Sequence, residues 1–213
     1  MLVSQLVQPS DYPQVQNFFR LLDMHFSDAR AMLKLPRPDV GIDTGCNLAL
    51  SATLCNILSG ISTTVYKPAH LLHEVKSKCG AGKAFRCLVQ DFFPFSPPGA
   101  VDFPRELYDY ARNALVHALG MDENVWRAVH ARVLHNPHPQ SGWTDQELDD
   151  LESGRWKISN QPSIGIGAQQ WTMYCDCFYF DTIELLRRLA ADKIQMRAAE
   201  NRFQQGVYNW RQR

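Results

Sequence analysis

Apolar residues recur every third or fourth position from Asp11 onward. Val15, Phe18, Phe19, Leu22 and Phe26 line one side of a helix that the pattern carries to Leu35. Pro36 and Pro38 end it, because proline lacks the N–H that a further turn needs. Asp43 or Thr44 caps a second helix, whose small and apolar residues run to about Leu58 with Gly60 beyond its end. A short helical pattern spans His70 to Lys78, and KCGAGK breaks it. Ala84 to Phe93 resumes the period through Phe85, Leu88, Val89 and Phe92. The proline-rich stretch 93–104 is a loop, and Pro104 suits the first turn of a helix to Leu119, ended by Gly120. Asp122 or Glu123 opens a helix through VWRAVHARVL, and TDQELDDLES begins like a short N-capped one. Only RWKISNQPSIGIG has an extended pattern, which predicts a small hairpin near 155–167. From Gln169 the pattern is helical again, as one helix or two with a junction near Asp192. The class is therefore all-α, a single domain over 1–213 with a four-helix core of roughly 14–35, 43–59, 83–93 and 104–119.

Charge narrows the partners. Lys plus Arg and Asp plus Glu are 22 each, so no general positive field exists to coat duplex DNA. A local basic cleft for RNA stays compatible with that balance. The six cysteines form no C-x-x-C pair, which argues against a zinc ribbon or a thioredoxin-type motif. Several sit inside apolar runs, as buried thiols do. The N-terminus has no basic region followed by an apolar core. The longest low-polarity stretch, Leu48 to Ile61, is shorter than the roughly 18 residues of a membrane span. The expectation is a cytoplasmic protein with no membrane contact.

One helix carries a chemical constellation. In RELYDYARNALVHALG, Leu107, Tyr110 or Ala111, Ala114, Leu115 and Ala118 form an apolar stripe, with Arg112, Asn113 and His117 set within it. Asn113 and His117 are four apart and share a face; Arg112 lies one step, about 100°, around. Polar groups beside an apolar stripe must be solvated, or buried with partners. A cleft between two copies of the helix would supply such a place. The plain alternative is an Arg112 that pairs with Asp109 and a His117 that fills a helix face.

These residues resemble the HEPN superfamily (higher eukaryotes and prokaryotes nucleotide-binding domains), whose signature is Arg, often Asn, and then His after four to six residues. Here it reads Arg112-Asn113-Ala114-Leu115-Val116-His117. LYDYA before it, ALG after it and the aromatic run of KAFRCLVQDFFPF upstream are similar too, so the likeness covers roughly 40–120. Spacing alone is weak: 15 arginines and 7 histidines give about 0.5 chance matches at any one spacing. Arg20 to His25 and Arg132 to His138 are such matches. Only Arg112 combines the Asn, a helical setting and apolar surroundings.

The resemblance implies an up-and-down four-helix bundle that dimerises and a metal-independent endoribonuclease without a cofactor. It implies RNA as substrate, a homodimer, and the place of a toxin or defence effector beside an antitoxin or regulatory protein. The residue types suit that chemistry. Histidine as a residue type titrates near neutrality, so His117 can move a proton, Arg112 offers a planar fork to phosphate oxygens, and Asn113 can orient the His or hydrogen-bond the phosphate. The competing expectation is a non-catalytic nucleotide- or protein-binding module. One departure stands out. A subset of the family has a modifiable Tyr four positions after the His, and this chain has Met121.

Other features read as structure. His130, His135 and His138 match no metal-ligand spacing, and Cys175-Asp176-Cys177 puts its thiols on separated sides of a helix. GAGK at 80–83 lacks the rest of a phosphate loop, and GIDTG at 41–45 is a turn before a helix. Arg187, Arg188, Arg202, Arg211 and Arg213 give a basic C-terminal face, solvated or in contact with RNA.

Overall fold

The computed structural model of the protein describes residues 2–36, 45–72, 79–94, 102–113, 129–132, 142–153, 164–166 and 171–206. These are mostly helical. Pro13 opens α1 (Pro13–Leu33) at a position where no N–H is needed. The predicted stripe is its buried face, extended by Ala29 and Leu33. Its first free N–H groups, on Gln14 and Val15, both donate to Glu200 Oε2 at 3.0 Å. Glu200 comes from the last helix, is buried, and sets its carboxylate at the positive end of the helix dipole. At the other end, the Trp143 N–H donates to the Leu33 carbonyl at 3.2 Å. Gly142 beside it has φ +72°, and a Cβ there would sit 2.3 Å from the Lys34 carbonyl oxygen. Only glycine fits that crossing.

The next helix, α2 (Gly45–Thr64), is central. It runs through Gly60 rather than stopping before it. Ile61 beyond the glycine is fully buried, and that packing outweighs the roughly 1 kcal/mol that a helical glycine costs. The stretch Cys46–Leu71 is apolar and long enough to cross a membrane, but half of its most apolar window is buried within the fold, as in a core helix. α2 packs on α1, on α3 (Ala81–Phe92) and on α6 (Cys175–Ala191). Phe93, after α3, lies 5.6 Å from the ring of Phe103 and 5.8 Å from that of Phe178.

Asp102 caps the short α4 (Phe103–Glu106) by accepting the Arg105 N–H at 3.2 Å. α4 then passes into a π-helical turn over Leu107–Arg112. The sequence predicted an unbroken helix from 104 to 119; its part beyond Asn113 lies outside the described residues. α5 (Asp145–Glu152) starts as predicted, at a reciprocal cap. Thr144 Oγ1 accepts the Glu147 N–H, and Glu147 Oε2 accepts the Thr144 N–H at 2.9 Å. Its last residue, Glu152, is buried and accepts from Arg30 Nη1 of α1 and the Tyr179 hydroxyl of α6, both at 2.8 Å.

The described residues are mostly helical, as the all-α class predicts, and add a small three-stranded sheet. β1 (Val129–Arg132) pairs in parallel with β3 (Trp171–Tyr174), and β2 (Ile164–Ile166) pairs antiparallel to β3, in the order β1-β3-β2. VWRAVHARVL was expected as helix. Its Val-His-Ala-Arg core alternates apolar and polar, a period of two, and it pairs with a segment about forty residues on that local periodicity cannot reveal. The hairpin predicted near 155–167 is β2 with β3, so half of it lies later than expected. The helix predicted from Gln169 begins at Cys175 instead, as α6. Asp192 is the junction foreseen: its carboxylate accepts the Ile194 and Gln195 N–H groups and caps α7 (Lys193–Gln204).

Candidate functional site

Arg112 closes the π-helical turn, and the Asn113 N–H donates to the Tyr108 carbonyl five residues back. Such turns are rare and concentrate at functional sites. This one sets three side chains together. The Arg112 guanidinium carbon lies 5.4 Å from the centroid of the Tyr108 ring. Its Nη1 donates to Asn113 Oδ1 at 2.9 Å, and its Nε donates to Ser59 Oγ on α2 at 3.1 Å. Asp109, the acid that the spacing offered to Arg112, pairs with Arg105 at 3.5 Å instead.

Arg112 borders a cavity of about 190 Å³. Ser59, Ser62 and Thr63 of α2, Phe85 of α3 and Tyr108 complete most of its wall. Among the described residues lining it, Arg112 is the one that carries charge. The α2 hydroxyls are turned inward. Ser59 donates to the Cys55 carbonyl at 2.8 Å, while Ser62 and Thr63 each donate to the Ser59 carbonyl at 2.9 Å. Donation to the helix backbone leaves these hydroxyl oxygens chiefly acceptor character, and Arg112 supplies positive charge at the cavity. Cys55, one turn before Ser59, is fully buried; desolvation pushes its thiol up to about 12, and the nearby Arg112 opposes that rise. The thiol stays protonated and chemically quiet.

Arg112 and Asn113 are thus brought together, half-buried. His117 and Met121 lie outside the described residues. Two further participants were not singled out from the sequence. Ser59 belongs to a run of small polar residues at four-residue spacing, Ser51, Cys55 and Ser59, and that spacing was its only signal. Gly82, within the rejected phosphate-loop segment, allows a close approach: a Cβ there would lie 2.9 Å from Tyr108 Cζ.

Elsewhere the candidates resolve into packing. Cys175 and Cys177 are buried free thiols, and Cys175 Sγ is 3.2 Å from Ser51 Oγ. Among the described residues no group of three or more His, Cys, Asp or Glu is placed to hold a metal. His135, His138 and residues 41–44 lie outside the described residues, and of His130 only the backbone, in β1, is described. The basic C-terminal face is partly internal. Arg202 is buried with Nη2 donating to the Val65 carbonyl at 2.5 Å, Arg187 donates to the Glu152 carbonyl, and Arg188 pairs with Glu184 at 3.4 Å. Arg211 and Arg213 lie outside the described residues. A larger cleft of about 660 Å³ opens between the N-terminal segment and α7. Asp11, Lys193 and Arg197 mix both signs of charge there, and its Glu200 is committed to capping α1.

No family model, curated protein or solved structure matches this chain.

Proposed function

We propose that this chain is a HEPN-type endoribonuclease that cuts RNA as a homodimer without a metal. The observation that carries the reading is the Arg112–Asn113 pair held at the mouth of a small cavity in which arginine is the charged group. At about 190 Å³ the cavity is smaller than the roughly 300–1,000 Å³ typical of sites for whole organic ligands. It suits a phosphate and its nearest sugar oxygens better than a base. Arg112 offers its fork to the non-bridging oxygens, whose charge grows as the phosphorane forms. His117 belongs to the next turn of the sequence pattern and takes the proton of the 2′-hydroxyl or returns one to the leaving 5′-oxygen. The new 2′-O–P bond replaces the 5′-O–P bond, which leaves a 2′,3′-cyclic phosphate and a 5′-hydroxyl. A two-fold pair of chains brings a second His117 for the other proton.

The second reading is a module that grips a phosphate and does not cut. It is favoured by the engagement of Arg112 within its own chain, with Nε on Ser59 and Nη1 on Asn113. One experiment separates the two. Single-stranded RNA incubated at neutral pH with EDTA should yield fragments ending in cyclic phosphate, and a 2′-deoxy residue at the cut should block it. His117→Ala should lower the rate at least about 10²-fold while the circular dichroism stays unchanged. Arg112→Lys keeps the charge, loses the bidentate fork and should also fall. RNA retained intact by wild type and His117→Ala alike refutes cleavage and leaves binding.

A further inference from the structure

We infer that Tyr108 and Ser59 are positioning residues, a two-sided brace that aims the Arg112 guanidinium, and that it is the face of the Tyr108 ring, not its hydroxyl, that matters. The catalytic consequence rests on the ribonuclease reading; the bracing itself does not.

An arginine side chain is long and loses much freedom when it is fixed. Beside the Nη1 bond to Asn113, two contacts with other side chains hold it before any ligand arrives. On one side the Tyr108 ring centroid lies 5.4 Å from the guanidinium carbon, within reach of the attraction between a cation and an aromatic face. On the other, Ser59 Oγ accepts from Nε at 3.1 Å. Ser59 is itself locked: its hydrogen goes to the Cys55 carbonyl, so a lone pair is left to meet Nε. The Tyr108 ring is locked too. Phe85 lies against it at 5.4 Å between centroids, tilted by 58°. The bare Cα of Gly82 lets the ring sit where a Cβ would come within 2.9 Å of Cζ and 3.1 Å of the hydroxyl oxygen. The π-helical turn from Leu107 to Arg112 carries both the ring and the guanidinium to this one edge of the cavity. A preset donor fork costs no reorganisation when charge develops on its target, which is how such a brace raises turnover more than binding.

Three substitutions test this. Tyr108→Phe keeps the ring, Tyr108→Leu keeps bulk without a π face, and Ser59→Ala removes the acceptor. The first readout is the ¹⁵N–¹H resonance of Arg112 Nε, identified by its loss in Arg112→Lys. It should be slow to exchange in the wild type and in Tyr108→Phe, and shifted and fast-exchanging in Tyr108→Leu and Ser59→Ala. The second readout is RNA cleavage: kcat should fall about tenfold or more in Tyr108→Leu with KM within threefold, and Tyr108→Phe should restore it. Gly82→Ala, which pushes the ring aside without touching Arg112, should reproduce the Tyr108→Leu pattern in a weaker form. If Tyr108→Leu fails to fold, Ser59→Ala and Gly82→Ala decide the matter by the same signal. An unchanged Nε resonance in Tyr108→Leu and Ser59→Ala overturns the brace. A wild-type chain that leaves RNA intact while the Nε resonance responds as described sustains the brace and overturns only the ribonuclease reading.

Discussion

Gly142→Ala should be among the most damaging single-methyl changes available to this protein. Two costs add. The backbone there has φ +72°, a left-handed conformation that charges an L-residue about 1–2 kcal/mol. The new Cβ would also lie 2.3 Å from the Lys34 carbonyl oxygen and 2.8 Å from that of Leu35. Both are backbone atoms, so no side chain can swing away. The segment must lift instead. That strains or breaks the Trp143 N–H bond to Leu33 and loosens the fully buried Trp143 side chain, at about 1–3 kcal/mol by analogy with overpacked cores. Alanine returns about 0.4–1 kcal/mol by stiffening the unfolded chain. The net is a loss of about 2–4 kcal/mol. Gly206→Ala is the control, since Gly206 has φ +71° but a Cβ there meets nothing within 4 Å. It bears the backbone cost alone. Urea unfolding followed by tryptophan fluorescence reads both. At a slope of about 2 kcal/mol per molar, Gly142→Ala should lower the midpoint by about 1–2 M and Gly206→Ala by about 0.5 M or less. Equal shifts for the two variants would show that the Lys34 crossing is not as close as described.

Two further outcomes follow from the interior and the caps. Burial raises the Cys55 thiol from 9.0 to about 12, and burial with Glu152 nearby raises the Tyr179 phenol well above 10.0. Groups raised in the folded state contribute fully below their unfolded values and lose that contribution as pH climbs toward the folded ones. The urea midpoint should therefore hold from pH 7 to 8 and decline from about pH 9 upward, with a shallower decline in Cys55→Ala; a flat profile to pH 11 would contradict this. Thr144→Ala removes one half of the reciprocal cap on α5 and should cost about 1 kcal/mol by the same unfolding assay, whereas a change below 0.3 kcal/mol would mean the cap contributes little.

The helices were legible where one chain segment carries the whole signal. The stripe from Val15 to Phe26 is amphipathic on its own, TDQELDDLES begins with its own cap, and the junction near Asp192, one of two readings of that stretch, falls at a residue able to cap the helix after it. The failures have one physical source, which is partners distant in sequence. Val129–Arg132 becomes a strand because Trp171–Tyr174 lies beside it. Gly60 stays helical because its neighbours are buried on both sides of it. At the site, Arg112 and Asn113 stood out because a charge and an amide rarely interrupt an apolar stripe without reason. Ser59 and Gly82 did not, since a small residue carries no message until the large one it accommodates, Tyr108 or Arg112, is in place.

The cap that Glu200 places on α1 has a consequence for how the chain is made. α1 is complete in sequence by Leu33, yet the acceptor for the Gln14 and Val15 amides lies 186 and 185 residues beyond them. Until Glu200 is made, those two amides have only water to bond, so the first turn of α1 cannot be completed while the early chain emerges. Closing it is a contact of very long sequence separation, the kind that slows folding. A chain cut short before α7 therefore lacks more than that helix: the first turn of α1 is left without its acceptor as well.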